Sequence, residues 1–286
     1  MCRFAAYFGP TITLDHLITR PVNSLIHQSF ESKERAEPLN GDGFGVSWYV
    51  PELSDEPATF RSITPAWNNM NLLNLTRLTR SGAVFAHIRA ASPGLPVTET
   101  NCHPFTFGRW TFMHNGTIAG FHSVRRALLA GLSNEAYGLI QGSTDSETAF
   151  AIFIDRYNAM DGPDDTNRIQ QALEETIRHI VALTQEAGAC EASQLNLAVT
   201  DGKQAVISRY VSDPACEANS LYVHHGKRYA CIDGQCRMVE PETEGAAVLV
   251  TSERLSEDPG WERVPPNHVV VVEANHTVRV APIGRA

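Results

Sequence analysis

The chain has 286 residues, 43% hydrophobic and 19% charged, an ordinary globular composition long enough for one large domain or two small ones. With 23 basic and 32 acidic residues its formal charge is −9, which argues against nucleic acid or an anionic membrane as the main partner. No apolar run approaches the ~18 residues of a membrane span. The N-terminus lacks the basic flank and apolar stretch of a secretory signal, so a cytoplasmic location is the default.

Residues 2–8 read as a short buried strand. Phe44 to Val50 read as a second, opened by the glycine-rich loop Asn40-Gly41-Asp42-Gly43. Ala83 to Ile88 is a third. Trp110 to Met113 is a fourth, ending at a loop His114-Asn115-Gly116. Thr144-Asp145-Ser146-Glu147 has the pattern of a capping box, and Ala149, Phe150, Phe153, Ile154 and Tyr157 follow at helical spacing. A second amphipathic helix runs through Ile169, Leu173, Ile177, Ile180 and Val181.

The last third returns to strands. Leu195, Leu197 and Val199 lead into Asp201-Gly202, and Ala205 to Ile207 leaves it, which signals a hairpin. Gly245 to Thr251 and His268 to Val280 read as further strands, the latter folded back at Ala274-Asn275. Strands, then helices, then strands imply an α+β protein with packed sheets inside helical layers, not a doubly wound sheet.

Six cysteines in a chain without a signal sequence are expected to be reduced. Cys231 and Cys236, near His224 and His225, are spaced more loosely than a paired zinc motif, and no metal or other cofactor is expected.

Cys2 stands out by position. Removal of Met1 would place a thiol and a primary amine on one residue, with reference pKa values near ~8.5 and ~8. The amine can then take the proton of the thiol, a self-contained nucleophile and base. Asn115 and Gly116 offer an amide and a backbone N–H to an oxyanion, although Asn-Gly is also the commonest tight-turn dipeptide. Arg89 closes a buried strand as either a carboxylate clamp or a structural ion pair. Asp145, in the first turn of a helix, is either a counter-ion for a substrate ammonium or simply favoured by the helix dipole. His103 belongs to the loop Asn101-Cys102-His103-Pro104-Phe105 and either builds a wall or contacts substrate. Asn40 and Asp42 could support Cys2 through hydrogen bonds.

Taken in order, Met1-Cys2-Arg3-Phe4, Asn40-Gly41-Asp42-Gly43-Phe44-Gly45, Ala86-His87-Ile88-Arg89-Ala90-Ala91-Ser92, Asn101-Cys102-His103-Pro104-Phe105, Met113-His114-Asn115-Gly116 and Gly142-Ser143-Thr144-Asp145-Ser146-Glu147 resemble the class II glutamine amidotransferases of the Ntn-hydrolase superfamily. The likeness is strongest over residues 1–157. It is greatest to the stand-alone hydrolase branch, which includes the amidotransferase-like subunit of the fungal glutathione-degradation complex and, more distantly, the γ-glutamyl hydrolase of ergothioneine biosynthesis. The loop of Asn40, Asp42 and Gly43 stands where synthase-linked members carry an Arg-Gly loop.

The resemblance implies a four-layer αββα sandwich formed by a single domain over residues 1–286, with Met1 removed. It makes Cys2 the nucleophile and Asn115 and Gly116 the oxyanion hole. Arg89 and Asp145 become the clamps for a glutamyl carboxylate and amine, Ser92 a hydroxyl contact where Thr is common, and His103 and His114 pocket walls. It implies an amidohydrolase acting on the γ-glutamyl amide of glutamine, glutathione or a related small molecule, hence a place in glutathione metabolism. The alternatives are a glutaminase subunit supplying ammonia to a separate synthase, and a non-catalytic scaffold that keeps the fold. A partner subunit, peptidase-like or a synthase, is a further expectation.

Overall fold

The computed structural model describes residues 2–34, 37–92, 94–232, 235–239 and 246–284. Met1 and Gly245, both invoked above, lie outside them. The strands are β1 (Arg3–Thr13), β2 (Phe44–Val50), β3 (Ser54–Ser62), β4 (Arg80–Ile88), β5 (Phe105–Phe107), β6 (Trp110–Thr117), β7 (Gln194–Thr200), β8 (Ala205–Arg209), β9 (Tyr222–Gly226), β10 (Arg228–Ile232), β11 (Gln235–Val239), β12 (Ala247–Thr251), β13 (Glu262–Arg263), β14 (His268–Val272) and β15 (Val278–Pro282). The helices are α1 (Asp15–Ile18), α2 (Leu25–Phe30), α3 (Met70–Leu78), α4 (Phe121–Ala130), α5 (Asn134–Gly138), α6 (Asp145–Ala159) and α7 (Thr166–Glu186).

Two antiparallel sheets form the middle of the protein. The first has the order β13-β9-β12-β1-β4-β2-β3 and the second β15-β14-β8-β7-β6-β5. The pleat of β1 shows how they stack. Phe4, Ala6 and Phe8 join Phe85, Met113, Ala198, Ile207, Val248, Val250 and Val270 in a core between the sheets. Ala5 and Tyr7, on the other face, pack with Leu17, Leu25 and Leu72 from α1, α2 and α3. Beneath the second sheet, Phe112, Leu197 and Val199 meet Phe150, Phe153, Leu173 and Ile177 from α6 and α7. Period-two alternation on the strands and helical spacing outside thus produce the expected four layers, α-β-β-α. Among the described residues no helix is long and apolar enough to cross a membrane.

Three expectations need correction. His114, Asn115 and Gly116 are not a loop: β6 continues to Thr117, and these residues pair with Leu197, Asn196 and Leu195 of β7. Ladder pairing overrides the turn tendency of Asn-Gly. Second, Cys231 and Cys236 are not both reduced thiols: they face each other across the β10–β11 hairpin and form a disulfide. Third, the capping box is half-formed. Thr144 Oγ1 accepts the Glu147 N–H at 3.1 Å, but the Glu147 carboxylate turns to the N–H groups of Gln141 (2.9 Å) and Gly142 (2.7 Å). Burial pushes that carboxyl above its ordinary range, and the two N–H bonds work against the rise.

Candidate active site

Pleat parity decides what faces the gap between the sheets. Cys2 precedes β1 two residues before Phe4, His87 follows Phe85 on β4, and Asn115 follows Met113 on β6, each at the spacing of an inward-facing neighbour. The strands therefore converge these residues at one open end of the sandwich. A cavity of about 290 Å³ lies there, and Cys2, Asp42, Arg89, Ser92, His103, His114, Gly116 and Asp145 all line it. Asn40, Gly43 and Asn115 do not.

Cys2 is half-buried beside Ala90, whose N–H reaches its Sγ at 3.5 Å, while the thiol donates to the Ala90 carbonyl at 3.6 Å. The glycine-rich loop braces this wall. Asp42 Oδ2 accepts the Ala91 N–H at 2.8 Å, and Gly43 O accepts the Arg89 N–H at 2.8 Å. Gly43 has φ 117°, and a Cβ there would come within 2.6 Å of Cys102 Sγ, so the loop requires glycine. Asn40 supports the loop from behind: its side-chain N–H donates to Gln28 O (3.0 Å) and Ser32 Oγ (2.9 Å), facing α2 and not Cys2.

Arg89 is 3% exposed, and its guanidinium donates only to carbonyls, those of Asp42 (3.5 Å) and Pro96 (3.3 Å). Among the described residues it forms no salt bridge. A buried cation on a cavity wall without a carboxylate is costly unless an anion completes it. The reading of Arg89 as a structural ion pair is therefore set aside. Asp145 faces the same cavity, its carboxylate held by the N–H groups of Ile118 and Ser146, each at 2.8 Å. Ser92 is exposed at the rim.

Three histidines cluster at this end of the sandwich: His103 and His114 line the cavity, and His87 lies behind them. The His103 ring packs at a tilt against His87, with ring centroids 4.1 Å apart, and against Phe105 at 4.5 Å. His87 meets the His114 carbonyl at 3.2 Å. His114 Nε2 donates to Gln194 O at 2.9 Å; a carbonyl only accepts, so Nδ1 is the nitrogen that accepts the Ser146 hydroxyl at 2.9 Å. Burial lowers the pKa of all three, that of His87 to about 3, with nearby positive charge on Arg89 adding to the fall for His87 and His103. Gly116 follows tightly on His114: a Cβ there would collide with the Gln194 carbonyl and lie 2.6 Å from His114 Nε2.

Neutral burial has a measurable consequence. A free histidine titrates near 6.5, and these three titrate lower when folded. The unfolded chain therefore binds more protons between those values. Their contribution to stability is complete above pH 6.5 and is lost as pH falls toward the folded values, about 3 for His87. Denaturant titrations between about pH 7 and about pH 5 should show a slope of up to ~4 kcal/mol per pH unit, the limit for three protons. A flat profile across that window would contradict neutral burial.

Asn115 is fully buried, and its side-chain N–H donates to Ser252 Oγ at 3.3 Å. Ser252 and His87 were not singled out from the sequence. His87 had a usable signal, two residues before Arg89 on the same strand face; Ser252 had none.

Comparisons with known proteins identify the family. The family model for class II glutamine amidotransferases matches residues 18–283. The chain belongs to that family. It is 42% identical to the probable glutamine amidotransferase DUG3 of Saccharomyces cerevisiae, over 99% of this chain and 84% of that protein. It is 26% identical to the γ-glutamyl-hercynylcysteine sulfoxide hydrolase of Mycolicibacterium smegmatis, covering 97% and 98% of the two chains. The solved structure of a class II glutamine aminotransferase domain protein from Silicibacter pomeroyi superposes with a TM-score of 0.67 at 26% identity, covering 99% of this chain and 100% of that one. As a class II glutamine amidotransferase, the protein is an amidohydrolase.

Proposed function

We propose that the protein hydrolyses the γ-glutamyl amide bond of a small substrate through a glutamyl thioester on Cys2. The supporting observation is that Cys2 shares one cavity with Asp145 and with a buried Arg89 to which no described residue supplies a carboxylate. Arg89 receives the α-carboxylate of the glutamyl group and Asp145 its α-ammonium. That fixes the γ-carbonyl against the thiol. With Met1 removed, the α-amine of Cys2 takes the thiol proton and the sulfur attacks the γ-carbon. The oxyanion is met by the Asn115 side-chain amide and the Gly116 N–H. The C–N bond then breaks, the proton held by the α-amine passes to the departing amine, and water releases glutamate from the thioester. The neutral histidines add no charge beside Arg89 and Asp145.

The γ-glutamyl hydrolase among the relatives supports hydrolysis of a γ-glutamyl amide. Glutamine, glutathione and other γ-glutamyl amides all present the same reacting group. Association with a peptidase-like or synthase subunit belongs to the proposal, and full turnover by an isolated monomer would remove it.

The test uses purified protein whose loss of Met1 is verified by intact mass. Glutamate release is measured with glutamine, glutathione and other γ-glutamyl amides, and acid-quenched enzyme is weighed for a glutamyl adduct on Cys2. Release from at least one donor, with that adduct, is expected. Release at full rate by protein that retains Met1 would overturn the role of the α-amine.

A further inference from the structure

β12 runs antiparallel beside β1, with Thr251 opposite Ala5, so the two residues that follow it lie alongside Phe4 and Arg3. Ser252 N donates to Phe4 O at 2.9 Å, and Phe4 N donates back to Ser252 Oγ at 3.0 Å. The same oxygen accepts the Asn115 side-chain amide at 3.3 Å. A hydroxyl oxygen has two lone pairs, and these two N–H groups occupy both. Ser252 is fully buried and lines no part of the cavity. It is a single atom of contact between the strand that follows Cys2 and the side chain proposed to hold the oxyanion.

Glu253 does the parallel task on the other side of β1. Its Oε1 accepts Arg3 Nε at 2.6 Å, and Arg3 Nη1 in turn donates to the Cys2 carbonyl at 2.9 Å. Arg3 Nη2 donates to Glu34 O at 2.9 Å, while the Glu253 carboxylate takes the N–H groups of Lys33 (3.0 Å) and Glu34 (3.2 Å).

We infer that Ser252 and Glu253 are positioning residues for the reaction: Ser252 sets the Asn115 amide relative to the start of β1, and Glu253, acting through Arg3, sets the backbone of Cys2. This rests on the reading of Cys2 as nucleophile and Asn115 as oxyanion donor. One N–H of the Asn115 amide is spent on Ser252, which fixes the plane in which the second points. A preorganised donor loses most of its value when it can rotate, because its aim must match the developing charge. Arg89 and Asp145 make no contact with either residue, so substrate binding should be spared.

The test compares Ser252→Thr with Ser252→Val, two side chains of the same shape that differ by the oxygen. The Thr variant should keep a kcat at least about 10-fold above the Val variant, with KM values within about 3-fold of each other, since a displaced catalytic group costs on the order of 10²-fold. In an Asn115→Ala background the difference between Thr and Val should shrink to less than about 2-fold, because the group being positioned is gone. For Glu253, the Arg3→Met/Glu253→Leu pair should lower kcat with KM unchanged. Equal kcat for Thr and Val, or an undiminished difference without Asn115, overturns the inference. Labelling by a diazoketone analogue of glutamine separates the two levels. If Cys2 is labelled and Cys2→Ala is inactive while Thr and Val turn over equally, only the positioning role fails. If Cys2→Ala releases glutamate normally, the nucleophile reading itself fails.

Discussion

Replacing Cys2 with alanine should lower glutamate release from γ-glutamyl substrates by about 10⁴-fold or more, the scale on which deleted nucleophiles act. The fold should be retained, since the thiol's contacts with Ala90 are long, at 3.5 and 3.6 Å. Substrate affinity should survive too, because the proposed clamps Arg89 and Asp145 remain. The thiol of Cys102, whose Sγ lies against the glycine-rich loop, should not take over. Cys102 is fully buried, donates to Thr98 O at 3.4 Å and Ser62 O at 3.7 Å, and is pushed by burial above the ordinary thiol range. A thiol held in its protonated form is a poor nucleophile. Isothermal binding of glutamate or a slow substrate to the Cys2→Ala protein, beside its turnover, separates lost chemistry from lost binding. Turnover within about 10-fold of the parent would exclude a Cys2 thioester.

The second large effect is on stability. Arg3 and Glu253 are 2% and 1% exposed, and each is the other's only ion-pair partner among the described residues. Glu253→Ala should destabilise the protein by about 3–5 kcal/mol, the usual cost of leaving one member of a buried pair without its counter-charge. The loss reaches further than one bond, because the N–H groups of Lys33 and Glu34 also lose their acceptor. Replacing both partners, as Arg3→Met/Glu253→Leu, should recover much of the loss, since it removes both buried charges. Urea unfolding midpoints at unchanged m-value measure this directly. A single substitution costing less than ~1 kcal/mol would mean that water reaches the pair.

Much of this was legible in the sequence where local pattern and tertiary role coincide. The alternation of Phe4, Ala6 and Phe8 marks the inner face of β1, and Thr144 marks the start of α6. Arg89, Asp145 and Gly116 sit in short ordered motifs, and the structure brings them to one cavity with Cys2. Other features carry no such local mark. β3 has the sequence SDEPATFRS, polar and interrupted by Pro57, as an edge strand permits, so it shows no apolar alternation. Asn115 reads locally as a turn residue, and only pairing with Asn196 of a strand far along the chain makes it extended. Asn40 reads as part of the site because of its neighbours, yet its amide points to α2. Ser252 and Glu253 acquire their partners only when β12 docks on β1.

The place of β1 between β12 and β4 also has a temporal meaning. During synthesis Cys2 and β1 leave the ribosome well before β12, which begins at Ala247. Chains are made at about 5–20 residues per second, so the N-terminal strand waits on the order of ten seconds for one of its two neighbours. Over that interval one edge of β1 lacks its ladder and Arg3 lacks Glu253. The surroundings of the cysteine proposed as nucleophile are thus completed late around an earlier segment, and a chain that stops short of β12 lacks the ladder and the ion pair beside it.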